Sequence, residues 1–288
     1  MNEVGRLLRV VLKHPLDAFV DTETIATQWQ ELNFAGPPDL ERAVAEYERF
    51  VATLRSVGAE LSFLPRAPQT TLDSIYVRDA SIVSPRGMIL CRMGKEQREH
   101  EPAAQRAAFA AMTPPIPVIG EIVAPGSIEG GDVIWLSDRT LVVGHGYRTN
   151  GAGIEQLREL LGDSVDEFVV VPLPHWTGES DVMHLMSLIS PIDRDLVVAY
   201  SRLLPIALRK YLLRSGIELV DVPDEEFDSM ATNVLAIAPR QCVMLSGNPR
   251  TRARLERAGA SVVEYEGGEI SVKGAGGPTC LTRPIARG

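Results

Sequence analysis

Residues 133–144, Val-Ile-Trp-Leu-Ser-Asp-Arg-Thr-Leu-Val-Val-Gly, decide how the rest of the chain is read. Two apolar runs flank a short polar turn, the pattern of a β-hairpin. The same form recurs at 81–91 (SIVSPRGMILC), 188–200 (LISPIDRDLVVAY) and 234–245 (VLAIAPRQCVML). A helical stretch follows each hairpin, at 102–112, 153–161, 205–215 and 249–258. Three of these open with proline, and Gly162, Gly216 and Gly259 stand where helices stop. Another apolar strand comes next, as at 168–171, 217–222 and 261–265. The repeating unit is strand-strand-helix-strand.

One polar residue stands just ahead of each hairpin: Asp79, Asp132, His184, Asn233 and then Cys280, at intervals of 53, 52, 49 and 47 residues. A near-constant period marks one supersecondary unit repeated. The fifth unit is split by the termini. Its first strand follows Cys280, its second is 6–13, its helix is 40–54 behind an Asp39 cap, and its third strand is 59–64. The excess length lies mostly in 13–39, an aperiodic segment with a Gly-Pro-Pro turn, expected as a long loop and a candidate lid. Five such units predict an α/β fold, a five-bladed propeller of ββαβ repeats closed by pairing of the N- and C-terminal strands. The whole of 1–288 is then one domain, and the five marked residues converge on one axis.

Composition narrows the function classes. Of 288 residues, 45% are hydrophobic and 23% charged, as in a soluble globular protein with a full core. The net charge of −9 and the lack of a basic tract argue against nucleic acid as a partner. Cys91, Cys242 and Cys280 are too few and too scattered for a disulfide framework or a zinc site. The start carries no signal-peptide core and no apolar run nears ~18 residues, so no membrane is expected and the cytoplasm is the expected location. G-x-S-x-G, H-E-x-x-H and Walker-type loops are absent, and neither metal nor cofactor is implied.

The chemistry-bearing residues lie on the repeat phase. Cys280 sits in Gly274-Ala275-Gly276-Gly277-Pro278-Thr279-Cys280, where glycines bring backbone N–H groups close to whatever approaches the thiol. Taken alone, it reads as a small apolar residue opening the last strand. In phase with His184, it reads as a nucleophile whose proton the imidazole takes. His145, between two glycines, is the weaker rival for that role. Glu129 and Asp132 in E-G-G-D, with Asp79 in V-R-D, set carboxylates facing the thiol. Unpaired anions in a cleft call for a cationic substrate. Arg98 and Arg148 are candidates for the carboxylate at the far end of that ligand.

V-R-D, E-G-G-D, R-T-N, H-L and G-x-G-G-P-T-C-L-T, in this order and spacing, resemble the guanidino-modifying (pentein) superfamily over essentially the whole chain. Its members include arginine deiminases, amidinotransferases and dimethylarginine dimethylaminohydrolases. The resemblance implies Cys280 as nucleophile, His184 as general acid/base and Glu129 as the acid supporting it. It also implies Asp79 on the guanidinium, Asp73 on the α-amine, and Arg98 and Arg148 on the α-carboxylate. Deiminases and amidinotransferases carry H-L-D where this chain has His184-Leu185-Met186, which favours a substituted guanidine. Arg78, where dimethylarginine hydrolases often carry glutamate, points the other way. The expected activity is hydrolysis of Nω,Nω-dimethyl-L-arginine to L-citrulline and dimethylamine. Arginine deimination, amidino transfer and a non-catalytic binding propeller are the alternatives. The expected partner is a small cationic guanidino amino acid, with a homodimer as the possible assembly.

Overall fold

Each hairpin read from the sequence is a hairpin in the computed structural model, which describes residues 1–178 and 183–288. In chain order, the closing unit contributes β1 (Leu7–Leu12), α1 (Pro15–Ala18), α2 (Thr22–Gln28), α3 (Leu40–Ser56) and β2 (Glu60–Phe63). The next unit is β3 (Ser81–Ser84), β4 (Gly87–Leu90), α4 (Glu101–Ala111) and β5 (Val118–Glu121). It is followed by β6 (Val133–Trp135), β7 (Thr140–His145), α5 (Gly151–Leu161) and β8 (Glu167–Pro172). Then come β9 (Ile189–Asp193), β10 (Leu196–Ala199), α6 (Ile206–Arg214) and β11 (Glu218–Asp221). A short α7 (Asp224–Phe227) leads to β12 (Leu235–Ala238), β13 (Gln241–Leu245), α8 (Pro249–Arg257) and β14 (Ser261–Tyr265), and β15 (Arg283–Arg287) ends the chain.

These strands form five three-stranded sheets, ordered β3-β4-β5, β6-β7-β8, β9-β10-β11, β12-β13-β14 and β15-β1-β2. In each, the hairpin pair is antiparallel and the strand returning after the helix is parallel. The middle strands β4, β7, β10 and β13 read as near-continuous apolar runs because both of their faces are covered, whereas β1 leaves Leu8 exposed. Chain ends meet directly: Val10 lies opposite Pro284 and Val11 opposite Arg283.

Helix α3 shows how local sequence builds the frame. The Asp39 carboxylate accepts from the Arg42 N–H at 2.9 Å, capping the first turn. Ala43, Tyr47, Phe50, Val51 and Leu54, spaced three and four apart, are buried against the core. Buried Glu46 on the same helix accepts from the Glu269 and Ile270 N–H groups at 2.8 and 3.3 Å. Glu269 in turn accepts from the Asp39 N–H at 2.8 Å and from Lys273 Nζ at 2.5 Å. This lattice fixes residues 268–273, the segment just ahead of the Cys280 turn.

Residues 13–39 depart from the aperiodic loop that the sequence predicts. Helices α1 and α2 form there, with His14 and Asp21 accepting from Leu16 N and Thr24 N. Phe19, Ile25, Leu32 and Phe34 enter the core, and the Ala35 N–H donates to Lys273 O at 2.7 Å. Helices of four and seven residues are too short to show a period. Tertiary burial, rather than amphipathic patterning, holds them.

Candidate active site

The residues marked by the repeat converge. Asp79, His184, Asn233 and Cys280 line one cavity of about 180 Å³. The fifth, Asp132, is buried beneath it and accepts from the Leu185 N–H at 2.9 Å and the Thr149 hydroxyl at 2.6 Å. Those two bonds fix the turn that carries His184. Convergence follows from the topology, since each residue lies one to five positions ahead of the first strand of its unit.

Glu129, rather than Asp132, holds the imidazole. Its Oε2 lies 2.8 Å from His184 Nε2, while Asp79 Oδ1 stands 4.0 Å from Nδ1. Glu129 is fully buried and accepts further bonds from the Gly94 and Lys95 N–H groups at 2.9 and 3.1 Å and from Arg148 Nη1 at 3.0 Å. Burial on its own would raise the Glu129 pKa. The His184 hydrogen bond and the Arg148 charge overcome this and hold it well below the usual carboxylate range. Gly131 is required by close approach: a Cβ there would lie 2.5 Å from His184 Nδ1. Its N–H donates to Asp79 Oδ1 at 2.9 Å.

Burial opposes charge on His184, yet Asp79, Asp132 and Glu129 together outweigh it and lift its pKa to about 9. For Asp132, burial dominates and pushes the pKa up to about 6. Asp79 also feels burial, but His184 and Arg98 bring it below its ordinary value. Cys280 is half-buried; burial and then Asp79 push its thiol up. Asn233 Nδ2 donates to its Sγ at 3.4 Å. At neutral pH this arrangement pairs an imidazolium with a neutral thiol, so His184 is not the base that the sequence suggested for the thiol proton.

The glycines before Cys280 meet a further requirement that the sequence did not show. A Cβ at Gly276 would fall 2.2 Å from Tyr76 Cε1, and one at Gly274 2.0 Å from the Tyr76 hydroxyl. Both glycines line the thiol cavity and also admit the buried Tyr76 ring. Tyr76 is held in turn by its bond to Ile270 O at 3.2 Å.

Asp73, Arg98 and Arg148 all reach the cavity. Lys95 Nζ pairs with Asp73 at 2.6 Å and donates to Leu32 O at 3.0 Å. Arg98 is fully engaged: Nη1 binds Asp79 at 2.6 Å, Nε and Nη2 fork onto Glu101 at 2.8 Å each, and Nη2 also donates to Tyr76 O at 2.9 Å. His145, the weaker rival, is exposed at the end of β7 and does not line the cavity. Sequence reasoning missed Lys95, Tyr76, Glu101, Phe227 and Met230. Of these, Glu101 left a signal, an acid three residues after Arg98. Ligand atoms of Asp79, Glu129 and His184 lie within 4.8 Å of one another. Arginines already match both carboxylates, so the cluster reads as a charge network rather than a metal centre.

The sequence profile described as arginine deiminase matches residues 70–214 and 204–287. The chain belongs to the arginine deiminase family. Within this guanidino-modifying pentein superfamily it stands close to the dimethylarginine dimethylaminohydrolases. It is 26% identical to N(G),N(G)-dimethylarginine dimethylaminohydrolase of Pseudomonas aeruginosa over 86% of this chain and 90% of that protein. The uncharacterized protein YkgA of Bacillus subtilis is 28% identical over 100% of this chain and 94% of its own length. An arginine deiminase of Mycobacterium avium is 31% identical, over 56% of this chain and 46% of that protein. Among solved structures, the Pseudomonas aeruginosa enzyme complexed with citrulline aligns with a TM-score of 0.76 at 23% identity, covering 96% of this chain and 98% of that one. The N-terminal domain of ArgZ, a cyanobacterial arginine dihydrolase, aligns with a TM-score of 0.80 at 19% identity, covering 97% and 98%. The Pseudomonas aeruginosa and ArgZ structures share this chain's fold.

Proposed function

We propose that the chain hydrolyses a substituted guanidino group, converting Nω,Nω-dimethyl-L-arginine to L-citrulline and dimethylamine through a thiouronium on Cys280. One observation carries this reading: a single pocket gathers the Cys280 thiol, the His184 imidazole clamped by Glu129, and the Asp79 carboxylate. The ββαβ order of every sheet and the β1–β15 pairing support a five-bladed propeller, one domain over 1–288, with its axis at this pocket.

A guanidinium stays protonated at neutral pH and is a poor electrophile. Its binding beside Asp79 brings a positive charge that offsets the burial keeping the Cys280 thiol protonated; the thiol proton passes to solvent and the thiolate stands beside the imidazolium. The sulfur lone pair then forms the C–S bond, and electrons of the C–N π bond move onto nitrogen. The His184 imidazolium protonates the dimethylamino nitrogen, the C–N bond breaks, and dimethylamine leaves. The neutral imidazole next takes a proton from water as the hydroxide attacks the same carbon. C–S cleavage returns the electron pair to sulfur as the added hydroxyl gives up its proton to solvent, and citrulline leaves. Asp73 binds the α-amine and Arg148 the α-carboxylate. Arg98, with all three nitrogens engaged, acts through Asp79 by holding it in place.

Met186 supports an alkylated substrate. It is buried at the cavity wall two residues beyond His184, and Phe227 and Met230 extend the same apolar surface. Arg78 does not oppose this, because its side chain turns away to Glu3 and Thr279 O. A second reading, arginine to citrulline and ammonia, is favoured by the deiminase profile match. Incubation with asymmetric dimethylarginine, with arginine, and with arginine plus glycine separates these and amidino transfer. Citrulline with dimethylamine is expected from the first. Citrulline from arginine alone overturns the preferred substrate, and inertness toward all guanidino compounds overturns the hydrolase.

A further inference from the structure

Away from the thiol pocket, a second cavity of about 120 Å³ opens where β15 passes the N-terminal segment. Asn2, Glu3, Val83, Asp138, Arg283 and Arg287 line it. Its charges do not balance. Arg78, Arg283 and Arg287 gather around Glu3; Arg78 is 1% exposed, Arg283 2% and Glu3 7%. Glu3 meets Arg78 Nη1 only at 3.4 and 3.5 Å. Asp138 is largely exposed and already engaged by Asn2 and the Met1 ammonium. Asp79, which also influences Arg283, is matched by Arg98 at 2.6 Å. Three guanidinium groups thus face one buried carboxylate.

Their hydrogen bonds are incomplete too. Arg78 Nε donates to Thr279 O at 2.8 Å, Arg283 Nη2 donates to Arg78 O, and Arg287 Nη1 donates to Gly5 O and Ala236 O at 2.8 Å each. Arg78 Nη2, Arg283 Nε, and Arg287 Nε and Nη2 are buried without an acceptor among the described residues. A guanidinium does not escape by losing its proton at neutral pH, and an unpaired buried charge costs several kcal/mol. Burial and the like charge of Arg78 draw the Arg283 pKa down to about 9, as expected where positive charge lacks compensation.

We propose that this cavity binds a small polyatomic oxyanion between Arg283 and Arg287. Forked guanidinium donors suit planar or tetrahedral oxygens. A volume of about 120 Å³ admits phosphate, sulfate or a short carboxylate, and is too small for a nucleotide. The cavity connects to the active site through Arg283, which donates to Arg78 O; the Arg78 N–H in turn donates to Cys280 O at 3.2 Å and its Nε to Thr279 O at 2.8 Å. Occupancy therefore steadies the turn that presents the thiol.

Thermal unfolding of the full chain, titrated with sodium phosphate, sulfate or acetate against sodium chloride at matched ionic strength, tests this. A saturable rise in Tm is expected with at least one oxyanion and not with chloride. Its half-saturation should move at least tenfold higher in Arg287→Gln and stay unchanged in Arg148→Met, which alters the thiol pocket instead. Equal rises with chloride, an unaffected Arg287→Gln or loss in Arg148→Met overturns the site. Crystals of the unmutated chain soaked in selenate give a check that does not depend on a variant folding. An anomalous peak between Arg283 and Arg287 is expected, and a map without one refutes the proposal.

Discussion

A His184→Gln substitution should remove a pH-dependent part of folding stability that the unmutated chain shows between pH 6.5 and 9. The His184 pKa is raised from 6.5 to about 9 by its carboxylates. A raised imidazole pKa contributes stability that is fully present below pH 6.5 and is lost as pH climbs through 9. At about 1.4 kcal/mol per tenfold, that interval corresponds to about 3 kcal/mol. The side chain is 14% exposed, so the screening that weakens surface pairs applies little here. Two neighbours leave the window clear. Asp132, at about 6, has largely finished titrating by pH 7, and the Cys280 thiol, pushed up by burial, is common to both proteins and drops out of their difference. Urea unfolding of both proteins at pH 6, 7, 8 and 9 measures the effect as a difference of differences, in which the other histidines cancel. The unmutated chain should lose about 3 kcal/mol relative to the variant across the series. Parallel curves would refute the reasoning, because they would mean that His184 is already neutral at pH 7 and cannot serve as the initial acid.

Other consequences are simpler to read. A halo-amidine should alkylate Cys280 and spare Cys91 and Cys242, both buried and with thiols pushed up by burial, Cys242 to about 12; peptide mass spectrometry reports the sites. Asn233→Ala removes the bond to Sγ and the two that Asn233 Oδ1 accepts from Thr279 N and Oγ1 at 3.0 and 2.8 Å. A loss of about 1–3 kcal/mol in chemical denaturation, with kcat reduced more than KM is raised, is expected. Gly276→Ala should cost about 1–3 kcal/mol through its clash with Tyr76. Gly36→Ala, which meets nothing within 4 Å, should leave Tm unchanged in the same scan.

The repeat was legible in the sequence because its evidence is local. Hairpin alternation, helix-opening prolines and stopping glycines each occupy a dozen residues, and the 47–53-residue period needs only counting. Gly162, Gly216 and Gly259 do adopt positive φ where the helices end. The same period by itself places Asp79, His184, Asn233 and Cys280 around one axis, where they line one pocket. Helices α1 and α2 were not legible, since one or two turns cannot display an amphipathic stripe.

What tertiary structure alone decided is which partner each polar group takes. E-G-G-D offers two acids, and the sequence does not say which of them meets His184; the fold gives that contact to Glu129 and sends Asp132 to the Leu185 backbone. The glycines near Cys280 line the cavity as read from the sequence, but the ring they also accommodate, Tyr76, lies about 200 residues earlier in the chain. Arg98, Arg148 and Lys95 find Glu101, Glu129 and Asp73, and Arg78 turns to the N-terminal segment. Sequence determined the number of units, their order and the residues at their entrances, because short-range periodicity encodes them. Charge pairing depends on ångström-scale distances between units dozens to hundreds of residues apart, and only the assembled fold sets those.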